Sequence, residues 1–570
     1  MNENILITAA LPYINNVPHI GNVIGSHFPA DVYARFHRIY GNNVTFIGGA
    51  DEHGTPAVIN AMDLGITPRE LVDKLKQIHK QIYDKLNISY DNFSGTSIPE
   101  HARITRDFFE KLKQNGYIEK AEMDMYYCPN CKMFLPDRFV RGTCPKCGYD
   151  DAYGDCCEKC DSSFNGSELI NPHCNRCGAT PEIKSSEHYY FNLTKVSPLL
   201  DEWIESKKDI FKPYVYSEAK RWIKEGLNPR CITRDMSWGI PVEENGDPNK
   251  VFYVWFEAPI GYISFTHQIS EQLYNILWKD KNSKIYHFIG KDNIPFHSVF
   301  FPAMLLANGE YNLPYDVAGL NFLNYEGQKF SKSKKIGVFC TPLLDSDIEI
   351  DALRGYLMAI MPESKDSDWK WEEFKNNTNS ELIGKFGNFF NRTINLLYKN
   401  FPTLDIDYND LKDLDELDKK VIDALENISA SIVDNYLNIK FRDAYKGLMS
   451  LSIEANSYLE HKAPWTLIKN ENFDEAKKVL YICLNICKTL AILGSPIMPA
   501  KMQEVWIEQL KFEGKVDEKG NIQKIGKLNV EKNHQVGSPK PLFRRIDDDY
   551  LAELTKHFSE SLDIATLFNK

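Results

Sequence analysis

Four C-x2-C pairs lie between residues 128 and 177: "CPNC" (Cys128, Cys131), "CPKC" (Cys144, Cys147), "CEKC" (Cys157, Cys160) and "CNRC" (Cys174, Cys177). Two thiolates at that spacing clasp one side of a tetrahedral zinc ion, so four pairs supply the ligands of two closed, structural Zn2+ sites. Spacing leaves the pairing open. A sequential arrangement joins the first pair to the second and the third to the fourth. A nested one joins Cys144, Cys147, Cys157 and Cys160, with Cys128, Cys131, Cys174 and Cys177 closing around them. Cys156 is spare in both. Thirteen cysteines would suggest disulfides in a small secreted domain, but here nine of them crowd into one block of a 570-residue chain, which points to metal. The ions would hold together a small insertion that lacks a core of its own.

Two further stretches carry charge chemistry. "GQKFSKSKKIG" (Gly327 to Gly337) interleaves Lys329, Lys332, Lys334 and Lys335 with Ser331 and Ser333. Alone, such a run is a solvated basic loop. As a movable cluster of cations it suits a triphosphate, whose transition state needs positive charge placed near the developing negative charge. No GxxxxGK[ST] pattern accompanies it, so P-loop chemistry is unsupported. In "PYINNVPHIGN" (Pro12 to Asn22) an apolar run breaks at a Pro/Asn turn and lands on His19-Ile20-Gly21-Asn22.

These residues need elements to position them. Ile5 to Ala9 and Asn43 to Gly49 read as buried strands with the helical "SHFPADVYARFHRIYG" between them, a β-α-β unit. Ligands of doubly wound sheets sit just beyond such strand ends, so His19 and "GADEHGTP" (Gly49 to Pro56) are candidates for one crevice. From Glu70, Leu71, Leu75, Ile78, Ile82 and Leu86 recur at helical spacing. After the cysteine block, strand alternation returns in "VFYVWFEAPIGY" (Val251 to Tyr262) and "KIYHFIGKD" (Lys284 to Asp292). Beyond about Ser380, long amphipathic segments predict a helical bundle. "GKVDEKGNIQKIGKLNVEKNHQVGSPKP" reads as an exposed connection before a last helix, "YLAELTKHFSES". The predicted class is α/β: a Rossmann-type doubly wound parallel sheet split by a zinc-knuckle insertion and followed by an α-helical bundle.

Hydrophobic residues at 43% and aromatics at 12% suffice for real cores. No run approaches the ~20 apolar residues that span a bilayer, and no secretory leader is evident at the N-terminus; a cytoplasmic protein without a membrane partner is expected. The formal charge of -12 argues against indiscriminate nucleic-acid binding but leaves room for a local basic surface that tracks phosphates.

"PHIGN" and "KFSKS" together resemble the HIGH and KMSKS signatures of class I aminoacyl-tRNA synthetases. "ALPYINN", "GADEHGTP", "VFYVWFEAPIGY", "FIGKDNIPFHSVFFPAML" and "HKAPW" look like the methionyl-tRNA synthetase family, with the four knuckles and "DMSWGIPV" most similar to its archaeal branch. The likeness runs from about Ile5 to about Ile546.

The resemblance implies activation of L-methionine by Mg2+-bound ATP to methionyl-adenylate and pyrophosphate, then transfer to the 3' end of tRNA(Met). It places His19, Asn22, Lys329 and Lys332 in catalysis, and Pro12, His19, Gly21, Asn22, Gly290, Asp292, Lys332 and Ser333 around ATP. Asn22 stands where relatives carry a second histidine, and Phe330 replaces the signature methionine. Leu11, Tyr13, Trp255, Ala258, Pro259, Tyr262 and His297 would line the methionine pocket, with Asp51 holding the ammonium; aromatic walls suit a polarizable thioether. Asn388, Arg392 and Trp465 would read the anticodon, since indole and guanidinium planes stack on splayed bases.

The implied organisation is a Rossmann domain in two halves (1–116 and 229–325), the connective insertion (117–228), a KMSKS-like loop and stem-contact region (326–379), a helical anticodon-binding domain (380–540) and a C-terminal helix (541–570). A monomer is expected, because the chain stops about 25 residues after "PLFRRI". Related enzymes for leucine, isoleucine or valine need a large editing domain, which the short insertion does not provide. A zinc-ribbon RNA-binding protein without catalysis would be favoured by loss of His19, Lys332 or Asp51, and all three are present.

Overall fold

The computed structural model describes residues 2–135, 137–154, 156–157, 159–160, 162, 168–243, 246–330, 336–559 and 564–568. Five parallel strands form the central sheet: β1 (Asn4–Ala9), β2 (Asn43–Ala50), β3 (Asn92–Gly95), β4 (Lys284–Gly290) and β5 (Asp316–Leu320), in the order β5-β4-β1-β2-β3. Successive strands therefore move outward from β1 in one direction and then, after a long excursion, in the other. The direction reverses between β1 and β4, which opens a crevice at their C-terminal ends. Both faces of β1 are covered: Ile5, Ile7 and Ala9 enter one buried cluster and Leu6 another. That explains why β1 reads as a continuous apolar run rather than an alternating one.

Leaving β1, the chain turns at Pro12 to Pro18 and becomes helical at Ile20. A π segment, Val23–His27, interrupts this helix before α1 (Phe28–Tyr40) continues it. The wider turn brings Gly25 and Ser26 to the crevice wall. Ser26 Oγ accepts a hydrogen bond from the Ala10 N–H (2.7 Å) and donates to the Phe288 carbonyl (2.9 Å), pinning the diverging ends of β1 and β4. The predicted amphipathic helix is α2 (Pro68–Lys85), whose Leu71, Leu75, Ile78 and Ile82 are buried.

The excursion between β3 and β4 rises on a long antiparallel pair, Ile118–Cys128 against Glu182–Phe191, with the knuckles at its far end. The stretch from Val251 differs from the expected strand: only Lys250–Phe252 is extended, and Val254–Glu257 begins a helical segment. Its residues are buried nearly all round, and burial on every side hides the difference between period 2 and period 3.6.

Four long helices form the bundle: α3 (Asn388–Asn400), α4 (Glu416–Leu437), α5 (Phe441–Lys462) and α6 (Phe473–Gly494). The polar stretch after Gly514 is not simply exposed, because Val516, Leu528, Val530 and Val536 are buried against the bundle.

Arg354 ties bundle to sheet. It is fully buried, and its guanidinium reaches Asp31 of α1 (2.6 Å) and the carbonyls of Leu86 (2.9 Å), Pro496 (3.0 Å) and Ile497 (2.7 Å). Burial alone would raise the Asp31 pKa, but Arg35 and Arg354 bring it down to about 2. Replacing Arg354 by methionine removes the donor to the buried Leu86, Pro496 and Ile497 carbonyls and leaves Asp31 to Arg35 and Ser89 alone; it is expected to cost about 3–5 kcal/mol of stability, read as a lowered thermal midpoint.

Candidate active site

A cavity of about 490 Å3 lies where β1 and β4 diverge. Leu11, Pro12, Tyr13, His19, Gly21, Asn22, Asp51, Trp255, Gly290, Asp292, Lys329 and Phe330 line it. A hollow of about 40 Å3 adjoins it, lined by Leu11, Asp51, Trp255, Ala258, Pro259, Tyr262, Phe296 and His297. The residues singled out for ATP and methionine thus come together at one end of the sheet. Lys332 and Ser333 lie outside the described residues.

His19 caps the first helical turn. Its Nδ1 accepts the Asn22 N–H (3.3 Å), while Asn22 Oδ1 accepts the His19 N–H (3.1 Å). The backbone N–H at position 22 therefore holds the His19 ring, while the Asn22 side chain closes the capping box on the His19 backbone, a structural role the sequence pattern did not suggest. A Cβ at Gly21 would stand 2.9 Å from His19 Nδ1, so any larger residue there would push the His19 ring out of place. The His19 ring stacks on Phe330 at a centroid distance of 4.6 Å. Two backbone hydrogen bonds lock the turn to the far side of the basic loop: Ile20 N–H to the Val338 carbonyl (2.9 Å) and Cys340 N–H to the Pro18 carbonyl (3.0 Å).

The near side is a hairpin, Leu323–Tyr325 against Gln328–Lys329. Glu326 (φ 47°) and Gly327 (φ 78°) fill its two-residue turn, the left-handed pair that suits a tight hairpin. The two stretches that look unrelated in sequence thus form one wall.

Asp51 ends β2. Its N–H donates to the Pro12 carbonyl (2.9 Å), and its carbonyl accepts the Ile14 N–H (3.0 Å), so the Pro/Asn turn is laced to it. The side chain is buried and its Oδ1 has no hydrogen-bond partner. Burial, reinforced by the nearby Glu257 charge, pushes this carboxyl well above the usual range. Glu257 differs: burial would raise it as well, but His53 (2.9 Å) and His101 (2.7 Å) grip its two oxygens and hold its pKa low.

Around the small hollow, Trp255 stacks on Phe296 (centroids 4.0 Å apart, 16° between planes) and meets Tyr13 edge-on at 6.2 Å. Gly54 (φ 105°) lets Tyr13 approach, since a Cβ there would lie 2.7 Å from its hydroxyl. Burial lowers the His297 pKa to about 4, so the ring is neutral; Nδ1–H faces the Asn293 carbonyl (3.1 Å) and Nε2 accepts the Tyr262 hydroxyl (2.9 Å).

His101, Glu257 and Phe296 escaped the sequence reading, and His53 entered it only as part of "GADEHGTP". A glutamate inside the aromatic run "VWFEAP" was the available signal, because a charge there must be paired.

The cysteines gather in two nested sets, Cys128, Cys131, Cys174 and Cys177, and Cys144, Cys147, Cys157 and Cys160, with all sulfurs of a set within 4.8 Å. Sγ separations of 3.4 Å (Cys128–Cys177), 3.5 Å (Cys147–Cys157) and 3.9 Å (Cys144–Cys160) lie close to the ~3.8 Å edge of a zinc–thiolate tetrahedron. Each set has the donors and spacing to hold one zinc ion.

In the bundle, Asn388 and Arg392 lie one turn apart on α3. The Arg392 guanidinium sits 5.1 Å from the Trp465 ring centroid and 2.6 Å from Glu460. Ala463, left-handed at φ 44°, kinks the chain so that Trp465 stays 38% exposed.

Residues 5–394 match the family model described as tRNA synthetases class I (M), and residues 411–563 the one described as anticodon binding domain of methionyl tRNA ligase. A methionine–tRNA ligase of Ignicoccus hospitalis is 39% identical over 564 residues, 98% of each chain. One of Saccharolobus solfataricus is 39% identical over 96% of each chain. Among solved structures, Mycobacterium tuberculosis methionyl-tRNA synthetase in complex with methionyl-adenylate superposes with a TM-score of 0.78 at 21% identity, covering 96% of this chain and all of that one, a likeness of fold. Split parallel sheet, paired signature turns and appended bundle define a class I aminoacyl-tRNA synthetase. The chain belongs to the methionyl-tRNA synthetase family.

Nested pairing makes a metal-counting experiment decisive. The double variant Cys131→Ser/Cys174→Ser is expected to lose one ion per chain and keep the other, measured by elemental analysis. Sequential pairing would lose both.

Proposed function

We propose that this chain is a methionine–tRNA ligase that joins L-methionine to ATP, releases pyrophosphate, and passes the methionyl group to the 3' end of tRNA(Met). The observation that carries this reading is the buried Asp51 carboxylate with an unpartnered oxygen, facing a cavity walled by both signature turns. An α-ammonium group is the counter-charge that carboxylate lacks.

In the first step a methionine carboxylate oxygen bonds to the α-phosphorus and the bond to pyrophosphate breaks. His19, held by Asn22 and Phe330, would donate to the phosphates; Gly290 and Asp292 lie where the nucleoside would rest. Lys329 and Lys332 would neutralise the charge that develops on pyrophosphate, and Mg2+ would accompany ATP. Trp255, Ala258, Pro259, Tyr262, His297, Leu11 and Tyr13 would enclose the side chain. In the second step a ribose hydroxyl of the terminal adenosine attacks the carbonyl and AMP leaves.

Asn388, Arg392 and Trp465 offer an exposed platform for anticodon bases. Two zinc ions would brace the insertion, and the domain limits given above follow the same reading. The protein would act as a monomer in the cytoplasm; no described helix is long and apolar enough to cross a membrane.

Methionine-dependent exchange between ATP and pyrophosphate tests the reading; exchange supported by leucine or isoleucine instead would overturn the pocket assignment. Lys332→Ala is expected to slow exchange about 100- to 1,000-fold while changing the methionine KM little, the signature of a contact made in the transition state. Equal effects on both would remove Lys332 from that role.

A further inference from the structure

A thiol, an imidazole and a carboxylate meet outside the substrate crevice, at the root of the cysteine-rich insertion. The short strand Arg230–Cys231 pairs antiparallel with the end of Glu182–Phe191, and Cys231 stands opposite Tyr190. His188 is two residues from Tyr190 and shares its face of the strand. Its ring is fully buried, with Nε2 3.1 Å from Asp235 Oδ2 and Nδ1 2.9 Å from Thr233 Oγ1, which also accepts the Tyr189 N–H (3.1 Å). With both nitrogens protonated, the ring donates to both oxygens. Lys250 pairs with the other Asp235 oxygen and donates to Ser186 Oγ (2.8 Å), so the carboxylate is braced from two sides. Half-buried Cys231 rests its thiol 3.4 Å from the Thr233 carbonyl oxygen.

The charges agree with this geometry. Burial alone would raise the Cys231 thiol, but hydrogen bonding to His188, the Arg234 charge and the Thr233 N–H bring it below its ordinary value. Burial would lower His188, yet its bonds to Asp235 and Cys231 raise it. Tyr190, which faces the sulfur from the neighbouring strand, is pushed up by burial and stays neutral. A thiolate beside an imidazolium, open to solvent on one side, is the setting of a reactive cysteine rather than a structural one. The other cysteines lack that setting. Eight belong to the two nested sets, and Cys340, Cys483 and Cys487 are sealed in the core, which leaves Cys156 as the comparator.

We infer that Cys231 is a site of S-thiolation, taking up one half of a small anionic disulfide with His188 as its base. The Cys231 sulfur passes its proton to His188 and attacks one sulfur of the disulfide. A new S–S bond forms, the old one breaks, and the departing thiolate takes the proton from His188; the disulfide is the only oxidant the exchange consumes. His188, Arg234 and Lys250 against Asp235 leave the surroundings positive, which favours a disulfide bearing carboxylates over one bearing ammonium groups. The site is separate from the crevice and stands independently of the ligase reading.

The test treats the zinc-loaded full chain with glutathione disulfide, or with cystamine as its cationic counterpart, and locates the adduct by peptide mass mapping. The reference is a peptide of residues 229–234, "PRCITR", which keeps the neighbours in sequence and lacks His188. Near pH 6.5 Cys231 is expected to react about fivefold faster than the peptide, a gain held down because a lower pKa raises the thiolate fraction while weakening its nucleophilicity. Glutathione disulfide should react faster than cystamine, Cys231→Ser should abolish the adduct, and His188→Gln should bring the rate down to that of the peptide. If His188→Gln does not fold, the comparison of the unchanged protein with the peptide decides. A rate no higher than the peptide's, an adduct on Cys156 in place of Cys231, cystamine reacting as fast as glutathione disulfide, or an unaltered rate in folded His188→Gln would each overturn the inference.

Discussion

A carboxylate held out of water with one oxygen unpartnered is the constraint around which this site is arranged. Asp51 sits at the end of a central strand, is only 4% exposed, and has the negative charge of Glu257 close by. Left alone, such a group avoids ionisation. Supplied with an ammonium ion it becomes a binding determinant, and the same desolvation that raised its pKa strengthens the pairing. Glu257, whose charge Asp51 feels, shows the opposite solution, two imidazoles in place. One buried acid is satisfied by the fold, and the other keeps an oxygen without a hydrogen-bond partner.

The remainder of the molecule holds that carboxylate opposite the wall built from the two signature turns. Reversal of strand order between β1 and β4 opens the crevice, and Ser26 ties the chain leaving β1 to β4 at its base. The capped His19 turn and the hairpin carrying Lys329 belong to distant parts of the chain, yet backbone hydrogen bonds between Pro18 to Ile20 and Val338 to Cys340 join them. The bundle is not a loosely tethered appendage. Its buried side chains run without a break into the core beneath β1, and Arg354 fastens the junction.

Much of this was legible in the sequence because it depends on residue type at fixed spacing. The C-x2-C pairs, the glycine beside His19 and the lysine-serine run each announce a chemistry locally. What resisted reading depends on distance in space. Spacing could not choose between sequential and nested cysteine pairing, since both satisfy each knuckle. Asn22 looked like a weakened catalytic position, and only its reciprocal hydrogen bonds with His19 reveal a part in capping the helical turn that carries that ring. The Val251 to Tyr262 stretch read as a strand because complete burial erased its periodicity. The His53–Glu257–His101 group joins Glu257 to residues more than 150 positions away, so the sequence could show that this glutamate needs a partner but not which one.

Proton linkage to methionine binding tests the central claim most directly. In the free protein the Asp51 carboxyl is raised above its ordinary value; the incoming ammonium lowers it again, so binding should expel a proton across the pH interval between the two values. Methionine affinity should therefore rise with pH through that interval and then level off. Calorimetric titration in buffers of different ionisation enthalpy measures the proton count. The account predicts net proton release that vanishes in Asp51→Asn together with most of the affinity. Release unchanged in Asp51→Asn, or no linked proton at any pH where the protein is folded, would contradict it.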